Sequence, residues 1–204
     1  MRPRGLRYPV TVDKQRVAAL VRELLVAIGE DPDRPGLKVT PQRVADAYEE
    51  FFAGIGQDAA APLARTISVS RGPAPDTLPS GAVMLRDIAF RSVCEHHLLP
   101  FLGKAHIAYL PGEQVVGLGA LPRVVDVLAA RPQVQERLGE QIADAIADSL
   151  DTRGVLVVLE ATHECVTMRG NRQPEASTVT IAARGELADA AARAELIALL
   201  GAHR

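Results

Sequence analysis

Residues 83–110 read VMLRDIAFRSVCEHHLLPFLGKAHIAYL, and the reading of this stretch decides the fold. Two apolar-rich runs, 83–93 and 104–110, flank a segment holding a Pro and a Gly, which is the pattern of a two-stranded hairpin. Helical periodicity follows at about 119–130 and again at 132–150. In the second, Pro132 suits a helix start, and Val134, Leu138, Ile142, Ala145, Ile146 and Ser149 run along one side. Val155-Leu156-Val157-Val158-Leu159 then opens a buried strand in 154–168, and Thr178, Val179, Thr180 and Ile181 alternate in another over 177–184. An amphipathic helix over about 188–200 closes the order. Upstream, Val17, Leu20, Val21, Leu24, Leu25 and Ile28 form one helical stripe, with Asp13 as N-cap and Gly29 as stop. Thr40-Pro41 reads as the N-cap and first residue of a second helix, whose stripe is Val44, Ala47, Tyr48, Phe51 and Phe52.

Between these parts, 55–82 lacks periodicity and holds Gly72-Pro73-Ala74-Pro75-Asp76, which is loop chemistry. The organisation expected is a helical region over 1–54, a loop or linker over 55–82, and the main domain over 83–204. The order αα, ββααββ, α predicts an α+β fold with an antiparallel sheet and helices on one face.

Composition narrows the function. The 204 residues are 48% hydrophobic and 24% charged, as in an ordinary soluble domain. Lys+Arg 23 against Asp+Glu 25 gives a net charge of −2, which argues against a broad grip on nucleic acid. Four Phe, three Tyr and no Trp give no base-stacking platform. No apolar run is long enough to span a membrane. Residues 1–12 carry Arg2, Arg4 and Arg7 without an apolar core, so no signal peptide is read and a cytoplasmic protein is expected. In that setting Cys94 and Cys165 are not expected to form a structural disulfide.

Both cysteines lie beside histidines, in Cys94-Glu95-His96-His97 and His163-Glu164-Cys165. The spacing of Cys94 and His97 lets two side chains of one turn converge on an ion, with Cys165 as a third ligand. Thiolates with imidazole favour zinc over magnesium or calcium. Three ligands leave a position open for water, whose pKa the metal lowers toward ~7. On a strand, His163 and Cys165 would share a face, placing His163 beside the metal. His96, next to a ligand, has the pKa range for proton transfer. The plainer alternative is a pair of small buried cysteines and satisfied histidines, with Glu95 and Glu164 as solvated charges or local caps.

Two further segments carry chemistry. In Arg131-Pro132-Gln133-Val134-Gln135-Glu136-Arg137, Gln135 and Glu136 fall in the first turn of a helix. They serve either as an ordinary capping turn or as a carboxylate–amide pair that reads a purine or pterin edge, since guanine offers two adjacent donors to one carboxylate. Arg169-Gly170-Asn171-Arg172, with Arg123, is either a turn with solvated arginines or a phosphate clamp. No Gly-Lys-Ser/Thr phosphate loop occurs, and the zinc-deaminase pattern is absent.

Together these segments resemble the GTP cyclohydrolase I family. The resemblance runs over about 20–185, through Ile28-Gly29-Glu30-Asp31-Pro32-Asp33-Arg34, Thr40-Pro41 with Arg43-Val44, Glu49-Glu50-Phe51-Phe52, Cys94-Glu95-His96-His97, Gly117-Leu118, the 131–137 segment, and His163 with Cys165. It implies the tunnelling fold and a homodecamer of two stacked pentamers with active sites shared between subunits. It implies zinc on Cys94, His97 and Cys165, and proton transfer by His96 and His163. Glu136 would anchor guanine with Gln135 beside it, and Arg123 and Arg169 would bind the triphosphate. The implied reaction opens the imidazole ring of GTP at C8, with a proton delivered to N7. C8 then leaves as formate, and an Amadori-type rearrangement closes 7,8-dihydroneopterin triphosphate. One departure stands out: where the family usually carries Ser-Lys after Gly117-Leu118, this chain has Gly119-Ala120. A lost charge-assisted contact of ~1.5–3 kcal/mol would weaken triphosphate binding about ten- to a hundredfold, with Lys104 or Arg172 as candidate substitutes. The alternatives are a related zinc hydrolase with a different phosphate preference or product, and a non-catalytic nucleotide- or pterin-binding relative.

Overall fold

Strand β6 (Thr152–His163) is apolar at five consecutive positions, 155–159, so both of its faces must be covered. In the computed structural model, which describes residues 11–68, 81–170 and 172–201, both are. β6 lies between β3 (Pro100–Pro111) and β7 (Thr178–Gly185) in a five-stranded sheet of order β5-β2-β3-β6-β7. β2 is Val83–Cys94 and β5 is Pro132–Gln133. On one face, Ile107 and Tyr109 of β3 and Val155, Val157 and Leu159 of β6 pack with Leu121, Val124 and Leu128 of α3 (Ala120–Ala129) and Leu138, Ile142 and Ile146 of α4 (Gln135–Ser149). The alternate residues Ala108, Leu110, Leu156 and Val158 face the other way. They bury Leu196 of the last helix and Leu187 of the turn before it.

The last helix therefore corrects the expectation of helices on one face. The continuous apolar run of β6 needs a second cover, and the helix Ala190–Gly201 supplies it. Two short strands, Thr66–Ser68 (β1) and Gln114–Val116 (β4), pair antiparallel, so part of the 55–82 stretch carries regular structure; the Gly/Pro segment 72–76 lies outside the described residues.

The sheet is antiparallel except at one edge. Pro132–Gln133 runs parallel to β2, pairing with Val93–Cys94, and does not begin a helix. Proline is tolerated at a sheet edge, where its missing N–H is not needed. α4 starts instead at Gln135, after an extended Val134. Between β3 and β6, Gly103 sits so close to its neighbour that an added Cβ would lie 2.2 Å from the Glu160 carbonyl oxygen. No side chain fits there.

The chain divides into two units at Gln57/Asp58. The first holds α1 (Lys14–Ala27) and α2 (Thr40–Phe51). The Asp13 side chain accepts from Arg16 N at 3.0 Å, as an N-cap should. Thr40 is already helical, and its side chain makes no cap. Of the α1 stripe, Leu25 is buried, while Leu20, Leu24 and Ile28 are exposed.

Ile142, fully buried between α4 and the sheet, tests this packing. Ile142→Ala is expected to lower unfolding stability by about 2–5 kcal/mol, read from urea melts at matched protein concentration. A change below about 1 kcal/mol would mean that α4 does not seal the core.

Candidate active site

β2 ends at Cys94, and the chain reverses through 95–99 into β3. Cys94 N donates to Leu99 O at 2.8 Å, and Leu98 N donates to Cys94 O at 2.8 Å. Leu98 takes φ +53°, a strained value for a branched side chain that persists only where the surroundings enforce it. The reversal carries His97 Nδ1 to 4.0 Å from Cys94 Sγ.

Cys165 arrives from β6. That strand ends at His163, and the chain turns at once into the single helical turn α5 (Glu164–Thr167). This corrects the expectation that His163 and Cys165 share a strand face: the turn swings Cys165 round. The donor atoms of Cys94, His97 and Cys165 then lie within 4.8 Å of one another. Cys94 is buried, Cys165 half-buried and His97 exposed. Burial pushes the Cys165 thiol above its ordinary range, and the Cys94 thiol beside it pushes the same way. A cation between the two sulfurs reverses that penalty, because it takes them as thiolates.

The donor set fits zinc. Bonds of ~2.3 Å to sulfur and ~2.0 Å to nitrogen in a tetrahedron put donors about 3.5–3.8 Å apart, a small contraction from the distances here. Three protein donors leave the fourth position open, as in catalytic sites.

The first turn of α4 meets this centre through consecutive residues. Gln135 is buried, 1% exposed. Its amide nitrogen donates to Leu159 O at 3.1 Å, Thr178 O at 2.9 Å and Thr180 Oγ1 at 3.2 Å, and its Oε1 lies 2.8 Å from His163 Nε2. The amide thus makes its hydrogen bonds within the chain. Glu136 is exposed, and its charge opposes the fall that burial imposes on the His163 pKa. Arg137 forms an ion pair with Glu95, and its Nε donates to Gln133 Oε1 at 3.2 Å. The pair holds the Glu95 carboxyl below its ordinary range. Glu95 N also donates to Gln133 O at 3.0 Å, so the Cys94–His97 turn is tied by its backbone to β5 and by the Glu95 side chain to α4. Glu95 is therefore a tether for the loop as well as a surface charge.

The His163 ring stacks on Phe101, with centroids 4.5 Å apart and planes 7° from parallel. The two residues are cross-strand partners in β3 and β6. His96 is exposed, edge-on to His97 at 6.3 Å, with Nε2 3.8 Å from Glu95 Oε1. Arg169 is exposed just past α5, and its charge opposes the rise in the Cys165 pKa. Arg123 is exposed on the first turn of α3, and no contact among the described residues joins it to the Cys-His-Cys group. Lys104 pairs with Asp87 at 2.9 Å on the opposite face of the sheet. Arg172 is exposed with φ +47°, and Asn171 lies outside the described residues. The sequence reading did not single out Phe101 or the Glu95–Arg137 pair. Phe101 becomes legible only with the β3–β6 register, and Arg137 only once α4 and the hairpin end are adjacent.

A sequence profile of the family described as GTP cyclohydrolase I matches residues 17–201. The GTP cyclohydrolase 1 of Leifsonia xyli subsp. xyli is 64% identical over 189 residues, 93% of this chain and 96% of that protein. The GTP cyclohydrolase 1 of Carboxydothermus hydrogenoformans is 53% identical over 192 residues, 93% of this chain and 96% of that one. That of Corynebacterium glutamicum strain R is 50% identical over 194 residues, 94% and 95% of the two chains. Among solved structures, the archaeosine synthase QueF-Like in the apo form has a TM-score of 0.41 at 14% identity, over 51% of this chain and 93% of that one.

The geometry predicts that Cys94→Ser or Cys165→Ser abolishes stoichiometric metal binding. Elemental analysis after dialysis checks this, and metal retained at the parent level would show that the ion sits elsewhere. Arg137→Ala, which frees the loop tether, is expected to weaken metal affinity about 10–100-fold in a chelator competition, with partial recovery in Arg137→Lys.

Proposed function

The chain belongs to the GTP cyclohydrolase I family, and we propose that it converts GTP and water to 7,8-dihydroneopterin triphosphate and formate with zinc held by Cys94, His97 and Cys165. The observation that carries this reading is the convergence of those three donors beside a histidine that the chain holds on two sides. When bound, zinc supplies a Lewis acid and acidifies water enough for it to act as a nucleophile at neutral pH.

The chain's own residues do the rest. Glu136 accepts the N1–H and exocyclic amino hydrogens of guanine, two adjacent donors on one carboxylate. Its place in the first turn of α4 suits a negative charge, because the N-terminal end of a helix carries partial positive charge. His163 delivers a proton to N7 as C8 becomes tetrahedral, which breaks the aromaticity of the ring and lets it open. Burial favours the neutral form of His163, so the imidazole is able to take up a proton and hand it on. His96, exposed at the rim, is the second proton carrier. Arg123 and Arg169 bind the triphosphate. Two waters enter, at ring opening and at formate release, and one leaves when the pterin ring closes. The net stoichiometry is one water consumed.

The reading includes the tunnelling fold, a homodecamer with shared active sites, a cytoplasmic setting and a place at the first step of pterin and folate biosynthesis. Exposed apolar side chains support assembly: Leu20, Leu24, Val26 and Ile28 on α1, and Val179 and Ile181 on β7. No helix among the described residues is long and apolar enough to cross a membrane.

The direct test incubates zinc-loaded protein with GTP and measures formate and oxidised neopterin together. Equal amounts are expected. Formate alone would place the arrest after ring opening, and neither product from metal-replete protein would overturn GTP as substrate. Gly119 and Ala120 favour one second reading, a weaker demand for the triphosphate, and comparison of GTP, GDP and GMP decides it. A side chain at Gly119 meets no atom within 4 Å. Gly119→Ser is therefore expected to fold, and combined with Ala120→Lys, at a half-buried position against the core, to lower KM for GTP about tenfold.

A further inference from the structure

Gln135 makes four hydrogen bonds that together fix the proton on one nitrogen of His163. The Gln135 amide nitrogen faces the main-chain carbonyls of Leu159 and Thr178. Carbonyls only accept, so the NH2 group must point at them and the amide cannot be flipped. The amide oxygen is then forced toward His163, 2.8 Å from Nε2. An amide oxygen also only accepts, so Nε2 must carry a hydrogen. A neutral imidazole has a single N–H, which leaves Nδ1 as the nitrogen with the lone pair. The ring cannot turn away without leaving Phe101, on which it lies flat.

We infer that Gln135 is a positioning residue: it holds His163 as the Nε2–H tautomer, so that Nδ1 is the nitrogen that exchanges protons with the substrate. This rests on the reaction proposed above for the role of His163, and not for the tautomer itself. Gln135 suits the task because it is anchored from two strands. Leu159 belongs to β6, which also carries His163, while Thr178 and Thr180 belong to β7. The amide is buried, so an alternative placement would strand donors without water to satisfy them.

Nitrogen NMR on the zinc-loaded full-length protein with 15N-labelled histidine reads the tautomer directly. The chain has five histidines, and a His163→Gln sample identifies the His163 signals. The expected result is a neutral His163 ring with its hydrogen on Nε2. A hydrogen on Nδ1, or an even mixture, would overturn the inference, and this measurement needs no variant at Gln135. In Gln135→Leu, the tautomer is expected to become mixed. With GTP, kcat should fall about a hundredfold while KM stays within about threefold, because only the proton-handling step is disturbed. A raised KM at unchanged kcat would instead make Gln135 a substrate contact and overturn the positioning role. If the protein forms no product from GTP at all, the proposed reaction fails, while the NMR result still decides the tautomer.

Discussion

The pairing of β3 with β6 is the constraint on which the site depends. Its register runs from Phe101 opposite His163 to Leu110 opposite Gly154. A shift of one residue would turn every side chain to the other face. His163 would then leave Phe101 and point toward the side of the last helix, and the apolar residues that meet α3 and α4 would exchange places with those that meet Leu196. Gly103 locks the same register, since only a residue without Cβ fits against the Glu160 carbonyl. The hydrophobic demand of two buried faces therefore also sets the position of His163.

The second constraint is polar and buried. Gln133 and Gln135 flank the point where the chain changes from an edge strand to α4, and both are about 2% exposed or less. Gln133 donates to Leu128 O at 3.0 Å and to Gln141 Oε1 at 2.9 Å, and it accepts from Arg137. Such groups stabilise a fold only when their donors and acceptors are met, and a partly met network is worse than none. Here each amide reaches its partners. The three residues Gln135, Glu136 and Arg137 face different tasks because a helix sends successive side chains about 100° apart. One meets the histidine, one is open to solvent, and one ties down the Cys94–His97 turn.

Two thiols near one another and a strained Leu98 are features that a chain selected for stability alone would avoid. Burial, and then the neighbouring Cys94 thiol, raise the Cys165 pKa, and the backbone at Leu98 is held outside its easy range by hydrogen bonds on either side of it. Both lie in the turns at one end of the sheet. Strain and thiols costly to ionise, gathered at one place, are what a group able to hold a metal ion would show, since the ion would supply the compensation.

Much of the chain was legible in the sequence. Apolar runs and periodicity gave the long strands β2, β3, β6 and β7 and the helices that pack on them, but not the short β1, β4 and β5, and Cys94-Glu95-His96-His97 with His163 and Cys165 marked the candidate metal group and carried the family resemblance. These are local properties: alternation, spacing and donor chemistry are written in neighbouring residues. Other features were decided by the tertiary structure. They are the parallel edge strand at Pro132, the last helix on the second face, the helical turn that swings Cys165 round, the stack of His163 on Phe101, and the commitment of Gln135 to two main-chain carbonyls. Each depends on groups tens of residues apart meeting under one register. Hydrogen-bond satisfaction in a buried setting is a property of that meeting and of no single segment.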